Sequence, residues 1–263
     1  MTRLIAKKSL GQNYLQDGNV IRKIVAALRV EPGDRVLEIG PGPGALTGVL
    51  AALGPERLVV VEKDYGWAFE RGRTLAGTRN TVLLADAMSL AWEGLPGPWK
   101  IIGNLPYNVA SPLMWEIFSR VPELTRAVFM VQKEVGERLA AKPGTREYGA
   151  LSVWVRSFVT PRLEFIVPPT VFFPRPKVDS AVLSFTPREA GEDFPLLSGR
   201  DKAAVSRLLK VVFQQRRKQL GGVLKKIIPP DPGFWQEMGL KPDARPENLA
   251  PNDFLRLARG IYG

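Results

Sequence analysis

Four short stretches carry residue types suited to holding and aligning a reactant. They are "LEIGPGPGAL" (37–46), "VVVEKD" (59–64), "LLADA" (83–87) and "GNLPYN" (103–108). In the first, Gly40, Gly42 and Gly44 permit a tight turn and let a ligand approach the backbone closely. Gly40-x-Gly42-x-x-Ala45 also fits the G-x-G-x-x-A dinucleotide pattern. Glu62 follows Gly40 by 22 residues, where a carboxylate can accept from ribose hydroxyls. Asp86 offers a further carboxylate, able to accept from the exocyclic amine of an adenine. Both acids also have a plain structural reading, Glu62 as one charge of "EKD" and Asp86 as a turn or helix cap.

The fourth stretch contains no acid, base or strong nucleophile. Asn104 offers an amide oxygen and Leu105 a backbone carbonyl. Pro106 fixes the backbone that aims that carbonyl, and Tyr107 supplies a flat face. Two acceptors beside an aromatic wall suit the exocyclic amino group of a planar base. Hydrogen bonds to its two N–H groups favour rehybridisation and leave its lone pair pointing at an electrophile. A sulfonium methyl is such an electrophile, and the nitrogen needs no general base before it is alkylated. The chain has no Cys and no His. That excludes disulfides, thiolate nucleophiles, Ser-His-Asp triads, imidazole acid–base catalysis and an ordinary zinc or iron centre. Chemistry that relies on placement fits this composition.

The four stretches need a scaffold that brings strand ends together. "DGNVIRKIVAALR" (17–29) predicts a helix capped by Asp17, with Val20, Ile21, Ile24, Val25 and Leu28 on one face. "RVLEIG", "RLVVVEKD", "TVLLADA", "WKIIGNLPY" and the start of "TRAVFMVQKEVGERLAA" predict strands, with helices between them. Such alternation predicts an α/β fold, a parallel Rossmann-like sheet with helices on both faces. Ligands then sit at the carboxyl ends of the strands, where all four stretches fall. Segments 150–168 and 177–187 read as further strands extending the sheet. A polar linker over 188–199 separates them from a helical C-terminal part. The expected division is 1–188 for the α/β domain and 189–263 for a small all-α domain.

The formal net charge is +11, and it is concentrated. Residues 200–226 hold nine Lys/Arg against one acid, and residues 1–29 hold six against one, so the rest of the chain is nearly neutral. Two basic segments flanking a neutral body suggest a polyanionic partner, and the scarcity of aromatics in 200–226 favours nucleic acid over a membrane surface. No apolar run reaches membrane-spanning length and the N-terminus lacks a signal-peptide core, so the expected compartment is the cytoplasm.

Taken together, "LEIGPGPG", Glu62, "ADA" and "NLPY" resemble a class I S-adenosylmethionine-dependent adenine-N6 methyltransferase. "KKSLGQNYL" (7–15), "VPPTVFFPRPKVDSAV" (167–182) and "FQQRRKQL" (213–220) resemble, in order, segments of the KsgA family of rRNA adenine dimethyltransferases. The resemblance implies S-adenosylmethionine as cofactor, with Gln12, Asn13 and Leu15 against it. It implies that Gly40 and Gly42 hold its methionine part, Glu62 its ribose, Asp86 its adenine amine, and that Asn104 borders it. Asn104, Leu105 and Pro106 would hold the target N6, Tyr107 would stack on the base, and Phe172 would form a second wall, with Phe173 its rival. Arg207, Lys210, Arg216, Arg217 and Lys218 would meet phosphates. The implied substrate is two adjacent adenosines near the 3′ end of 16S rRNA, in free RNA or an immature small ribosomal subunit, and the expected state is a monomer. Family members commonly carry Phe where this chain has Leu10 and Tyr14, and an apolar or varied residue where it has Lys63. Three other readings stay open: a resistance enzyme acting on large-subunit rRNA, a methyltransferase-like binding or assembly factor, and an NAD-dependent dehydrogenase.

Overall fold

The computed structural model describes residues 12–189, 197–228 and 232–263. Leu10, the basic residues Arg3, Lys7 and Lys8, and most of the expected linker lie outside the described residues. The chain divides into two compact units. One runs through Gly136 and again over Pro161–Pro187; the other covers Glu137–Thr160 and Arg188 to the end. Residues 137–160 therefore group with the C-terminal helices, whereas the sequence placed them with the sheet.

The first unit is built on a seven-stranded sheet. Its strands are β1 (Arg35–Ile39), β2 (Arg57–Glu62), β3 (Thr81–Leu84), β4 (Trp99–Asn104), β5 (Leu124–Gln132), β6 (Val159–Val167) and β7 (Ser180–Pro187). Across the sheet the order is β3-β2-β1-β4-β5-β7-β6. The pairings from β3 to β5 are parallel, and β7 runs antiparallel to β5. Strand β1 sits mid-sheet, so Val36, Leu37 and Ile39 are all buried and the strand reads as an apolar run rather than an alternation. The strand order reverses beside β1, and the carboxyl ends of β1, β2 and β4 open onto one crevice there.

Helix α1 (Gly18–Leu28) starts where the sequence places it. Asp17 Oδ1 accepts from the N–H groups of Asn19 and Val20, and Ile21, Ile24, Val25 and Leu28 are buried. Helices α2 (Ala45–Ala52), α3 (Tyr65–Thr74) and α4 (Ala110–Arg120) follow β1, β2 and β4, and α5 (Lys133–Ala140) continues from β5. A two-stranded ribbon pairs Tyr14 with Phe173 and Leu15 with Phe172. It ties the segment beside the crevice to the loop before β7.

In the second unit, Ala150–Arg156 is a helix, α6, and not the strand expected there. Ser152, Val153, Trp154 and Val155 are all buried, so this short apolar run carries no periodicity that separates strand from helix. Helix α7 (Gly199–Val212) has a Ser198–Asp201 capping box and buries Val205, Leu208, Leu209 and Val212. Asp201 also accepts from Arg259 of α10 (Pro251–Tyr262) at 2.8 and 3.0 Å, and Arg259 holds its carboxyl well below the usual range. Helix α7 ends at Val212. A 3₁₀ turn over Phe213–Gln215, with Phe213 against Phe254, leads to α8 (Leu220–Leu224), and α9 covers Pro232–Glu237. Within α8, Gly221 donates to the Pro242 carbonyl, and a Cβ there would meet Pro242 at 3.1–3.2 Å, so close approach explains this glycine. No helix among the described residues is long and apolar enough to cross a membrane.

Candidate active site

A single crevice in the first unit is lined by Gln12, Asn13, Leu15, Gly40, Gly42, Glu62, Asp86, Asn104, Leu105, Pro106 and Tyr107. The structure thus brings together every expected cofactor residue and all of the "NLPY" tetrapeptide.

The glycine turn has a conformational requirement: Gly40, Gly42 and Gly44 have φ of 64°, 49° and 89°. The turn is also crowded. A Cβ on Gly42 would lie 3.1 Å from the Tyr14 ring, and one on Gly44 would strike the Arg71 guanidinium. Glu62 faces this turn. Its carboxylate accepts from Gly42 N–H at 3.1 Å and Asp64 N–H at 2.8 Å. Burial raises its pKa, and the two N–H donors oppose the rise. Tyr14 uses its hydroxyl. It accepts from Trp67 Nε1 at 2.8 Å and donates to Gln12 Oε1 at 2.6 Å, which holds Gln12 at the crevice. Asp86 caps the following 3₁₀ turn by accepting from Met88 N–H, and its other oxygen lies 2.6 Å from Lys63 Nζ.

At the end of β4, Asn104 Nδ2 donates to the Asn13 carbonyl at 3.1 Å, so the amide oxygen faces away from that contact. Leu105 N–H donates to Met130 O at 3.1 Å and locks the backbone. Among the described residues, Asn104 Oδ1 and the Leu105 carbonyl have no hydrogen-bond donor. The half-buried Tyr107 is anchored at its rim by a 2.9 Å hydrogen bond between its hydroxyl and Ser180 Oγ. Two open acceptors and an anchored ring are what an amino group on a planar base requires.

Two residues were missed in the sequence. Ser180, within "KVDSAV", supports Tyr107. Glu38, in the middle of β1, is 1% exposed and borders the crevice; Oε2 has no partner among the described residues. Burial pushes its carboxyl up to about 7, against the opposing pull of Thr47 and then Arg71. An acid inside an otherwise apolar strand was the available signal.

Phe172 and Phe173 take opposite faces of their short strand. Phe172 is 5% exposed and packs in the core, while Phe173 is 63% exposed, and neither ring lines the crevice. The strand alternates its side chains, so pairing with buried Leu15 turns Phe172 inward.

In the second unit, Arg207, Lys210, Arg217 and Lys218 are exposed. Arg207 also lies 4.5 Å over the Tyr262 ring. Arg216 departs from the expected phosphate contact. Its guanidinium donates to Glu247 at 3.1–3.2 Å and to the Arg146 carbonyl at 2.6 Å, so it joins parts of its own unit.

The residues fit an S-adenosylmethionine-type cofactor. A cradle of glycines with positive φ, carboxylates at successive strand ends and an unpartnered buried acid oxygen suit a cationic ligand with hydroxyl and amine donors. With the order β3-β2-β1-β4-β5-β7-β6, fold and crevice together define a class I methyltransferase. A family model, "Ribosomal RNA adenine dimethylase", matches residues 3–261. The chain is 53% identical over 261 residues to "Ribosomal RNA small subunit methyltransferase A" of Nitratidesulfovibrio vulgaris strain DP4, covering 97% of this chain and 96% of that protein. A dimethyladenosine transferase from Plasmodium falciparum superposes with a TM-score of 0.77 at 27% identity, covering 92% of this chain and 95% of that one. The 23S rRNA methyltransferase ErmE shares the fold, with a TM-score of 0.71 at 24% identity and coverage of 94% and 99%. This chain belongs to the ribosomal RNA adenine dimethylase family.

Proposed function

We propose that the protein methylates N6 of two adjacent adenosines near the 3′ end of 16S rRNA, each twice, using S-adenosylmethionine. The observation that carries this reading is the pair of open acceptors, Asn104 Oδ1 and the Leu105 carbonyl, beside the anchored Tyr107 ring. The cofactor supplies an electrophilic methyl group on sulfur. Gln12, Asn13 and Leu15 border it, the turn at Gly40 and Gly42 takes its methionine end, Glu62 its ribose hydroxyls and Asp86 its adenine amine. Asn104 and Leu105 accept the two N–H groups of the target amine and free its lone pair from the ring, while Pro106 keeps the Leu105 carbonyl aimed. Alkylation makes the nitrogen acidic, so its proton leaves without a dedicated base. In the second transfer one N–H remains, and one acceptor suffices.

Tyr107 stacks on the target base. Phe172 supplies the second face by turning its ring out of the core beside the crevice-lining Leu15. Unstacking a base costs a few kcal/mol, and aromatic stacking returns about 1–3 kcal/mol per base. Arg207, Lys210, Arg217 and Lys218 position the RNA through phosphates, and Arg216 braces that surface. Small-subunit RNA is favoured over large-subunit RNA by the 53% identity to a small-subunit enzyme, against 24% for ErmE. The test is to incubate the protein with labelled S-adenosylmethionine and under-methylated small or large ribosomal particles, then map the label. Label on adjacent adenosines of the small subunit is expected. Label confined to the large subunit overturns the substrate, and label on neither, with Asn104→Ala indistinguishable, overturns the enzyme.

A further inference from the structure

Lys63 is the crevice residue that the family resemblance leaves without a role. Its ammonium lies 2.6 Å from Asp86 Oδ2, while Asp86 Oδ1 is occupied by the Met88 N–H at 3.0 Å. Lys63, Asp86, Ala87 and Met88 border the same crevice, next to Glu62. The Lys63 and Asp86 side chains are 60% and 35% exposed, so neither is sealed from a ligand. An ion pair this exposed contributes little to stability. What it does provide is a cationic donor and an anionic acceptor side by side.

A purine has the complementary edge. In adenine, the 6-amino group donates and the ring nitrogens flanking it accept. Hypoxanthine replaces the amine by an oxygen that only accepts. A lone carboxylate is repelled by that oxygen, because two acceptors then face each other, and can pair only with the adjacent N1–H of hypoxanthine. An ammonium has three donors and no acceptor, and can turn from the carboxylate to either a ring nitrogen or a 6-oxo group.

We propose that Lys63 is a specificity-determining residue at the nucleobase end of the cofactor crevice, reading the purine edge jointly with Asp86. With adenine, Asp86 accepts from the amine and Lys63 stays paired with Asp86; with a 6-oxo purine, Lys63 turns to donate to the oxygen, so the chain tolerates such a purine better than a carboxylate alone allows. This assignment rests on the reading of the crevice as a S-adenosylmethionine site.

The test is calorimetric titration of S-adenosylhomocysteine and S-inosylhomocysteine into the full chain and Lys63→Met, with melting curves for both proteins. In the variant, the adenosyl compound is expected to bind within about threefold of wild type. The inosyl compound is expected to weaken about tenfold or more, the size of a lost hydrogen bond to a charged group. Lys63→Arg should restore its binding, and melting should not move. Equal effects on both compounds, or no effect on either, overturn the role of Lys63 while leaving the cofactor reading intact. Failure of the adenosyl compound to bind wild type overturns both.

Discussion

The side-chain amide of Asn104 donates to the backbone carbonyl of Asn13, 91 residues away in the chain. A carbonyl can only accept, so the contact decides which way the amide points and leaves Oδ1 for the target amine. Asn104→Asp keeps the shape but sets an anion against the Asn13 carbonyl. Both Asn104→Asp and Asn104→Ala are expected to lower single-turnover methyl transfer by about 10- to 100-fold, the value of one well-placed hydrogen bond. An aspartate variant close to wild type would show that orientation by Asn13 is not needed.

Phe172 is asked to serve both the core and the target base, and two substitutions separate these roles. Phe172→Ala should cost about 3–5 kcal/mol of stability, as core aromatic truncations do. Phe172→Leu retains most of the volume and should melt within a few degrees of wild type. It lacks a ring face, so turnover on rRNA should still fall about tenfold, within the range for one stacked base. Full turnover in the leucine variant would assign Phe172 to packing alone.

Glu38 predicts an unusual pH dependence. Its folded pKa, about 7, lies above the ordinary value of 4.5. The folded protein therefore holds a proton that the unfolded chain releases between those limits. The stabilisation is full below pH about 4.5 and is lost as pH rises through about 7, a change of roughly 3 kcal/mol. Urea midpoints for wild type should fall relative to Glu38→Gln between about pH 5 and pH 8. A constant gap between the two proteins across that range would refute the assignment.

The basic surface yields a contrast between neighbours. Arg217→Ala and Lys218→Ala should each reduce the slope of log affinity for rRNA against log salt by up to about 1, with melting unchanged. Arg216→Ala should leave the slope intact and lower stability by about 1–3 kcal/mol, because Glu247 and the Arg146 carbonyl lose their donor. Identical behaviour of all three variants would argue against the brace.

The sheet and its crevice were largely legible because strand-end residues announce themselves when strands are apolar runs closed by Gly, Glu, Asp or Asn. The amphipathic face of α1 was equally plain. Ala150–Arg156 was not, since a helix buried on every side has no polar stripe to reveal its period. The choice between Phe172 and Phe173 depended on which side of a two-residue strand met Leu15, and that is a tertiary fact. Tyr107 and Ser180 are 73 residues apart, and nothing local to either marks their pairing. Arg216 sits in the same basic run as its exposed neighbours, and only its distant partners, Glu247 and the Arg146 carbonyl, distinguish it.

The place of β7 has a consequence for synthesis. It inserts between β5 and β6, so β6, although made earlier, cannot reach its final neighbour until β7 emerges. Ser180 begins that late strand and carries the anchor of Tyr107. A nascent chain that has released the strands through β5 still lacks the support for its target-base wall. Ribosomes must translate past β7 before the chain that modifies ribosomal RNA has a finished site, so binding of cofactor should precede competence for transfer during synthesis.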